Sequence, residues 1–600
     1  MSRLGSSLAA LRRPWQLLLT HRWLVLIGVL FVPVHAAISL WMPRLLGQTL
    51  DLLQRGAAAG AAADGAAAVL DTLRDTCLLL LVLALAESGA RYISRKTLID
   101  ASRYVEQELK NEMVAHLQRL PVPWFDRVRT GDITSRLTSD VELVRFVMGP
   151  LLLHGGSTLC LLPAGIWLMA QMNVPVTLTA MAAFGVLFVA MRILLPRLHR
   201  WSKTSQEAIA ALSQQAQEDF AGIRVVQQFD RVDRERAAMA TRNRRYLLAN
   251  LRLVRLRSLV HALSHSTSGL VTFGVLLVGG MEVIGGAISV GELFQFTGYL
   301  ALLTFPLEIL GWTLATMPRA IAAAQRIQEL LDTPAERRDG ARPELTGHIE
   351  VRDLTFTYPG AERPALTNLS FVLPPGGKLG LVGPVGSGKS TLLAILLAFY
   401  EPPRGTVLID GHDVLDLSPD AVRKVFAFAA QEPFLFSDTV ANNVTFARES
   451  VDAELLADAV AAAALDQDLP QLPGGLQTIV GERGVTLSGG QKQRVALARA
   501  LLDDRPGLLL DDTLSAVDTV TERRILRGLA AQRRDRTTIA ASHRLSVVAD
   551  ADLILVLDRG AVVERGTLTT LLAENGRFAA AWRRQTEAEA LETPSQEPAP

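Results

Sequence analysis

The chain has 600 residues and a formal charge of +1, so it is too long for one hydrophobic core, and no global positive field recruits nucleic acid. It is 49% hydrophobic yet 20% charged, and the two populations are segregated: long apolar runs fill about the first 310 residues, and the rest reads as a soluble α/β domain. Cys77 and Cys160, the only cysteines, both sit in apolar runs, which argues against a disulfide framework or a cysteine metal cluster and for two small buried hydrophobes.

Arg3, Arg12, Arg13 and Arg22 precede an apolar stretch at 23–41. Val34-His35-Ala36-Ala37 has the small residues of a signal cleavage site, but the run continues toward the ~20 residues of a spanning helix. It reads as an uncleaved first span. Five more segments of similar length follow, at about 70–92, 146–170, 174–195, 259–283 and 291–312. Only Gln171-Met172-Asn173 separates the third from the fourth, and a short piece around Gly285-Gly286 separates the fifth from the sixth. The alanine- and glycine-rich patch at 57–68 reads as a flexible outer loop.

The long connections, between spans two and three and between four and five, are strongly basic. They include Arg95, Arg119, Arg136, Arg197, Arg224 and Arg245, whereas the short ones hold only Arg44 and Arg55. The positive-inside bias therefore puts the long connections and both ends of the membrane half in the cytoplasm. No aromatic pattern suited to RNA stacking accompanies these basic residues. Residues 208–220, rich in alanine, glutamine and glutamate, favour a helix. Two apolar patches in charged surroundings, Pro123-Trp124-Phe125-Asp126 and Phe220-Ala221-Gly222-Ile223-Arg224, are expected at the tips of these extensions, docked on a soluble surface. Ionisable residues within the spans are few: Glu87 and Arg91, one turn apart and able to pair, with His265 and Glu308 as candidates to face a cavity.

Residues 331–347, with Pro334, Asp339-Gly340 and Pro343, read as a linker between a membrane domain at 1–330 and a second domain at 348–585; a disordered tail is expected at 586–600. Within the second domain, Gly383-Pro384-Val385-Gly386-Ser387-Gly388-Lys389-Ser390 matches G-x-x-x-x-G-K-[ST], after an apolar strand and opening a helix. Glycines let backbone N–H groups wrap phosphates, Lys389 reaches the β- and γ-phosphates, and the Ser390 hydroxyl serves Mg2+. Leu508-Leu509-Leu510 leads into Asp511 and Asp512, the place for a metal-serving and a water-positioning carboxylate. Leu487-Ser488-Gly489-Gly490-Gln491 forms a second phosphate cradle at a helix start. One γ-phosphate does not need two cradles from one domain, so this loop is expected to cap a nucleotide held by another domain.

Together these motifs and His543 resemble an ABC transporter nucleotide-binding domain, and the first half resembles the six-helix exporter domain, including Thr130-Gly131-Asp132 and Ser135-Arg136. The resemblance covers nearly the whole chain, as a half-transporter of the multidrug type. It implies an all-α six-helix transmembrane domain followed by an α/β P-loop ATPase domain. It further implies ATP contacts at Tyr358, Gly383, Gly386, Ser387, Gly388, Lys389, Ser390, Thr391, Ser488, Gly489, Gly490, Gln491 and Asp518. Tyr358 would stack on adenine. Mg2+ would lie on Ser390, Gln431 and Asp511, with Asp512, Gln431 and His543 as the hydrolytic residues. Gly481-Glu482-Arg483-Gly484 would link to the tips, and Ser515-Ala516-Val517-Asp518 would communicate between nucleotide sites.

The departure is Asp512, where hydrolysing members of the family carry glutamate. The shorter side chain implies a site that binds ATP and hydrolyses it slowly, beside an intact Ser488-Gly489-Gly490-Gln491. From this follows an expected heterodimer with a second half-transporter that carries glutamate, moving a drug, lipid or peptide out of the cytoplasm or inner leaflet of a bacterial-type inner membrane. The alternatives are a homodimeric lipid exporter in which Asp512 hydrolyses, and an ATP-gated regulatory subunit. Six spans exclude a soluble P-loop kinase.

Overall fold

The computed structural model describes residues 9–58, 63–448, 450–481, 487–532 and 536–592, and the chain divides into two compact units. The first unit, Met1–Gln118 with Thr130–Thr333, is helical. Its helices are α1 (Arg12–Thr20), α2 (Arg22–Ala58), α3 (Ala63–Leu117), α5 (Thr130–Ser135), α6 (Val141–Met148), α7 (Pro150–Met172), α8 (Val174–Ala221), α9 (Ile223–Gln228), α10 (Val232–Ile284) and α11 (Val290–Leu331), with a π-helical turn at Arg136–Asp140. Helix α4 (Val122–Phe125) belongs to the other unit.

Five helices, α2, α3, α8, α10 and α11, each carry a whole apolar segment and run on beyond it, whereas the third segment is divided at Gly149, its first residues ending α6 and the rest lying on α7. Among the described residues, Arg22–Arg55 and Thr130–Met172 are apolar enough throughout a membrane's thickness, and Gly269–Ile284 is a shorter apolar stretch. The expected second span is weaker because Asp71, Arg74, Asp75, Glu87 and Arg91 interrupt it. Arg91 pairs with Glu87, which also accepts from the Ser39 hydroxyl of α2 at 3.2 Å. The side chains of His265 and Glu308 lie outside the described residues. Cys77 is exposed on α3 rather than buried, among outward-facing Leu78, Leu79 and Leu81. That apolar face meets hydrocarbon in a bilayer, so burial within the protein is not required of it.

Helix starts are set by local chemistry. Asn173 caps α8, its side chain accepting from the Val176 N–H at 3.0 Å, and Pro175 sits in the first turn where no donor is lost. Ser289 and Glu292 form a capping box at α11. The same helix start is tied to α2: Asp51 accepts from the Ser289 hydroxyl at 2.5 Å and from the Gly291 N–H at 2.7 Å. A Cβ on Gly291 would stand 2.1 Å from the Gly47 carbonyl oxygen, so the two backbones touch and only glycine fits. At the other end of α11, Arg326 grips the buried Asp140 of the π-turn, its Nε at 2.8 Å. Met169, Val275, Phe296, Tyr299 and Leu303 form the buried centre of this unit.

The second unit, Arg119–Arg129 with Pro334–Pro600, is α/β. Its elements are β1 (Ile349–Phe356), β2 (Leu366–Leu373), β3 (Lys378–Val382), α12 (Lys389–Leu396), β4 (Val407–Ile409), β5 (His412–Asp413), α13 (Pro419–Val425), β6 (Phe426–Ala429), α14 (Val440–Val444), α15 (Ala453–Ala462), α16 (Gly489–Leu502), β7 (Gly507–Asp511), α17 (Thr519–Gln532), β8 (Thr537–Ser542), β9 (Leu553–Asp558), β10 (Ala561–Gly566), α18 (Leu568–Glu574) and α19 (Arg577–Glu592). A six-stranded sheet runs β10-β9-β3-β8-β7-β6, parallel except at β10, and an antiparallel sheet runs β2-β1-β4-β5. Strand alternation assigns the core: Leu508 and Leu510 join the helices α15–α17, while Leu509 packs toward the smaller sheet.

The stretch read as a linker lies along this unit. The Ala341 N–H donates to the Asp416 carbonyl at 2.9 Å, and Arg337 donates to the carbonyls of Val414 and Leu415. The first tip, α4, packs within the same unit: the Glu336 N–H donates to the Arg119 carbonyl at 2.7 Å, and the Tyr400 phenol donates to the Asp126 carboxylate. The second tip keeps Phe220, Ile223, Val225 and Phe229 exposed. Helix α19 continues to Glu592, past the point where a disordered tail is expected. Ala588, Glu589, Ala590 and Leu591 are good helix formers, which explains the extension.

Candidate nucleotide site

Three loops leave the same end of the parallel sheet, where open α/β sheets bind ligands. After β3 the chain turns through Gly383 to Ser387, and Gly388, at φ +103°, starts α12. A Cβ there would lie 2.8 Å from the Ala365 carbonyl oxygen, so the turn requires glycine. Lys389 donates to the carbonyls of Gly383 at 2.8 Å and Pro384 at 3.0 Å, which places its ammonium across the loop. Burial holds the Lys389 pKa below its ordinary value, opposed by Asp512 and Asp511.

Strand β7 is buried along its length and ends in Asp511. Burial pushes the Asp511 carboxyl up, while a hydrogen bond from Ser390 and the charge of Lys389 work against that shift. The Ser390 hydroxyl and the Asp511 carboxylate are thus neighbours, a donor pair suited to a hard divalent cation. Asp512 has φ +45°, a left-handed conformation that aspartate tolerates better than most side chains, and its N–H donates to the Ala541 carbonyl at 2.7 Å. Its carboxylate lies 2.8 Å from Nδ1 of His543, which follows β8. Asp512 is nearly buried, whereas the His543 side chain is about half exposed.

A cavity of about 330 Å³ gathers Tyr358, Gly383, Gly386, Ser387, Gly388, Lys389, Ser390, Thr391, Gln431, Asp511, Asp512 and His543. The Tyr358 phenol donates to the Thr391 hydroxyl at 3.1 Å, and its ring meets Tyr400 edge-on at 4.9 Å between centroids. Ala365 and Val385 also line the cavity. Sequence reading passes over them because neither carries a chemical group that marks a site.

Ser488, Gly489, Gly490, Gln491 and Asp518 do not line this cavity. Ser488 caps α16 in a reciprocal box with Gln491: the Ser488 N–H donates to Gln491 Oε1 at 2.9 Å, and the Gln491 N–H to Ser488 Oγ at 3.3 Å. Asp518 accepts from the Thr521 N–H at 3.0 Å, and that bond holds its carboxyl below the usual range. Gln493 ties the two regions together, donating to the Ser515 hydroxyl at 2.9 Å and accepting from the Ala516 N–H at 3.1 Å. Residues 482–486, which include most of Gly481-Glu482-Arg483-Gly484, lie outside the described residues.

Residues 25–307 match the ABC transporter transmembrane region, and residues 366–515 match a second family described as ABC transporter. The chain is 31% identical to the ATP-dependent lipid A-core flippase of Vibrio cholerae, over 95% of this chain and 96% of that one. The chain belongs to the ABC transporter family. This ABC transporter is also 34% identical to the multidrug resistance-like ATP-binding protein MdlA of Escherichia coli, over 82% of this chain and 84% of the relative. A solved structure of a bacterial Atm1-family ABC exporter with ATP bound superposes with a TM-score of 0.75 at 27% identity, over 96% of this chain and 99% of that one. The transporter therefore joins a helical transmembrane domain of the exporter type to an ATP-binding α/β domain, and its ATPase serves transport.

Proposed function

We propose that this ABC exporter moves a hydrophobic or amphipathic compound, a lipid, drug or peptide, out of the cytoplasm or inner leaflet. In this reading residues 1–330 cross a bacterial-type inner membrane six times, and the N-terminus and the ATPase domain at 348–585 are cytoplasmic. Support comes from the basic long connections and from relatives named for lipid A-core flipping and multidrug resistance.

Tyr358 stacks on adenine, the loop at 383–390 with Thr391 wraps the phosphates, and Lys389 neutralises the β- and γ-phosphates. Ser390, Gln431 and Asp511 would hold Mg2+, which would supply positive charge to offset the phosphates. His543 turns from Asp512 to the γ-phosphate. ATP is closed in from the other side by Ser488, Gly489, Gly490, Gln491 and Asp518 of a second subunit, because in one chain these lie outside the cavity. Closure of two such domains carries the tips, and with them the spans, between two arrangements.

The observation that carries the finer reading is Asp512. Its carboxylate is one methylene shorter than glutamate and lies 2.8 Å from His543. Once His543 moves to phosphate, this side chain falls short of an attacking water. A water-positioning group contributes about 10²–10⁴-fold, so the site holds ATP and hydrolyses it slowly. The intact Ser488–Gln491 cradle then completes a faster site on a second half-transporter that carries glutamate. The second reading, a homodimeric lipid exporter, draws on the relatives named as lipid A-core flippases in several organisms. Purifying the tagged chain gently from its native membrane and identifying its companion by mass spectrometry separates the two. A stoichiometric second half-transporter with glutamate at the matching position is expected; recovery of this chain alone as a dimer overturns the heterodimer. With the partner's own glutamate replaced by glutamine to silence the faster site, Asp512→Glu should raise the remaining ATPase activity of the purified transporter at least about tenfold; an unchanged or lower rate would mean that aspartate already suffices.

A further inference from the structure

The segment that follows β8 is held by a residue far outside the nucleotide motifs. Leu545, two residues after His543, opens a short 3₁₀ turn (Leu545–Val548), and its N–H is one of the donors that such a turn leaves without an internal partner. Leu545 is buried, so water does not take that place. The acceptor is Gln585 Oε1 at 3.0 Å, contributed by the C-terminal helix α19.

That helix is itself firmly placed. Glu564 of β10 accepts from the N–H groups of Arg577 and Phe578, the latter at 2.9 Å, and so caps the first turn. Phe578 is buried and stacks on Trp582 at 6.1 Å between centroids. Phe578, Trp582 and Gln585 are spaced four and three residues apart, which puts them on one helical face. The segment after β8 is also held by the buried Glu522 of α17, which accepts from Arg544 and from the Ser546 hydroxyl. These two anchors hold the backbone just after His543, whose half-exposed imidazole lies 2.8 Å from Asp512.

We propose that Gln585 is a positioning residue for γ-phosphate recognition: through Leu545 it fixes the backbone that presents the His543 imidazole, making the C-terminal helix part of how the site tells ATP from ADP. The inference rests on the reading of His543 as the γ-phosphate partner.

The test uses the full-length transporter in lipid nanodiscs with whatever subunit co-purifies. ATP and ADP each compete against photolabelling of this chain by an azido-ATP analogue. Gln585→Leu should weaken competition by ATP about fivefold, the worth of one net hydrogen bond, and leave ADP unchanged. Gln585→Glu keeps an acceptor and should retain ATP preference; should the leucine variant fail to fold, Gln585→Asn, too short to reach Leu545, is expected to show the same loss for ATP alone. Equal weakening of ATP and ADP would mean general damage and would overturn the proposal. Loss of ATP preference in His543→Ala but not in either Gln585 variant would overturn it while leaving the His543 reading intact. No change in His543→Ala would remove the reading beneath it.

Discussion

Asp511 and Asp512 are adjacent in sequence yet live in different chemistry. Asp511 ends a buried strand beside Ser390, and burial raises its pKa; Asp512 is turned by a left-handed φ toward His543. A raised carboxyl pKa means that the proton is held to a higher pH than the ordinary ~3.9, and a protonated carboxyl does not hold a cation. Mg-ATP affinity should therefore begin to fall on acidification while free aspartate is still ionised. Titrating binding downward from neutral pH checks this, and Asp511→Asn should bind Mg-ATP more weakly and flatten the acid side of the profile. The phosphate loop and the acidic pair were legible in the sequence because their chemistry is local: glycines, a lysine and a serine within eight positions. Gln493, Glu522 and Gln585 were not, since each acts on a backbone or side chain more than twenty positions away and none is an unusual residue for a helix surface.

Helices α2 and α11 meet where Gly47 and Gly291 leave no room for a side chain. Gly291→Ala should cost about 1–3 kcal/mol of stability through overpacking, seen as a lower unfolding temperature of the detergent-solubilised chain. Gly280→Ala, in α10 with nothing near its Cβ position, should be neutral or stabilise by up to about 1 kcal/mol. Helix α4 is only four residues long and stays attached through its flanks, chiefly the Tyr400–Asp126 hydrogen bond. Tyr400→Phe should raise amide hydrogen exchange of the peptide around 122–127 several-fold, while the aromatic contact with Tyr358 and nucleotide binding persist. That α4 associates with the ATPase unit was foreshadowed by its apolar residues in charged surroundings. Its particular partners were not, because a phenol 274 positions away leaves no local signal.

At the scale of the whole chain, the segregation of apolar from charged residues foretold both fold classes, a helical first half and an α/β second half. Span strength was less legible: the charges in α3 pair with each other and with α2, so apolarity alone understates that helix. The outward-facing Leu26, Leu30, Leu81, Val82 and Leu85 form a surface suited to hydrocarbon. After an alkaline carbonate wash the chain should remain with the bilayer fraction; release into the supernatant would contradict an integral helical domain.

The bond from Asp51 to the start of α11 has a mechanical meaning. That helix spans 42 residues, about 60 Å at ~1.5 Å per residue, and its first turn is fastened to α2 by the Asp51 carboxylate and by the Gly47–Gly291 backbone contact. The far end is fastened too, by Arg326 on the buried Asp140, so the helix is a strut pinned at both ends. Between the two joints lie Pro306 and Pro318, where a helix bends most readily. A small wedge at the first joint, such as one added methyl on Gly291, is therefore taken up as bending at these prolines while both ends stay in place.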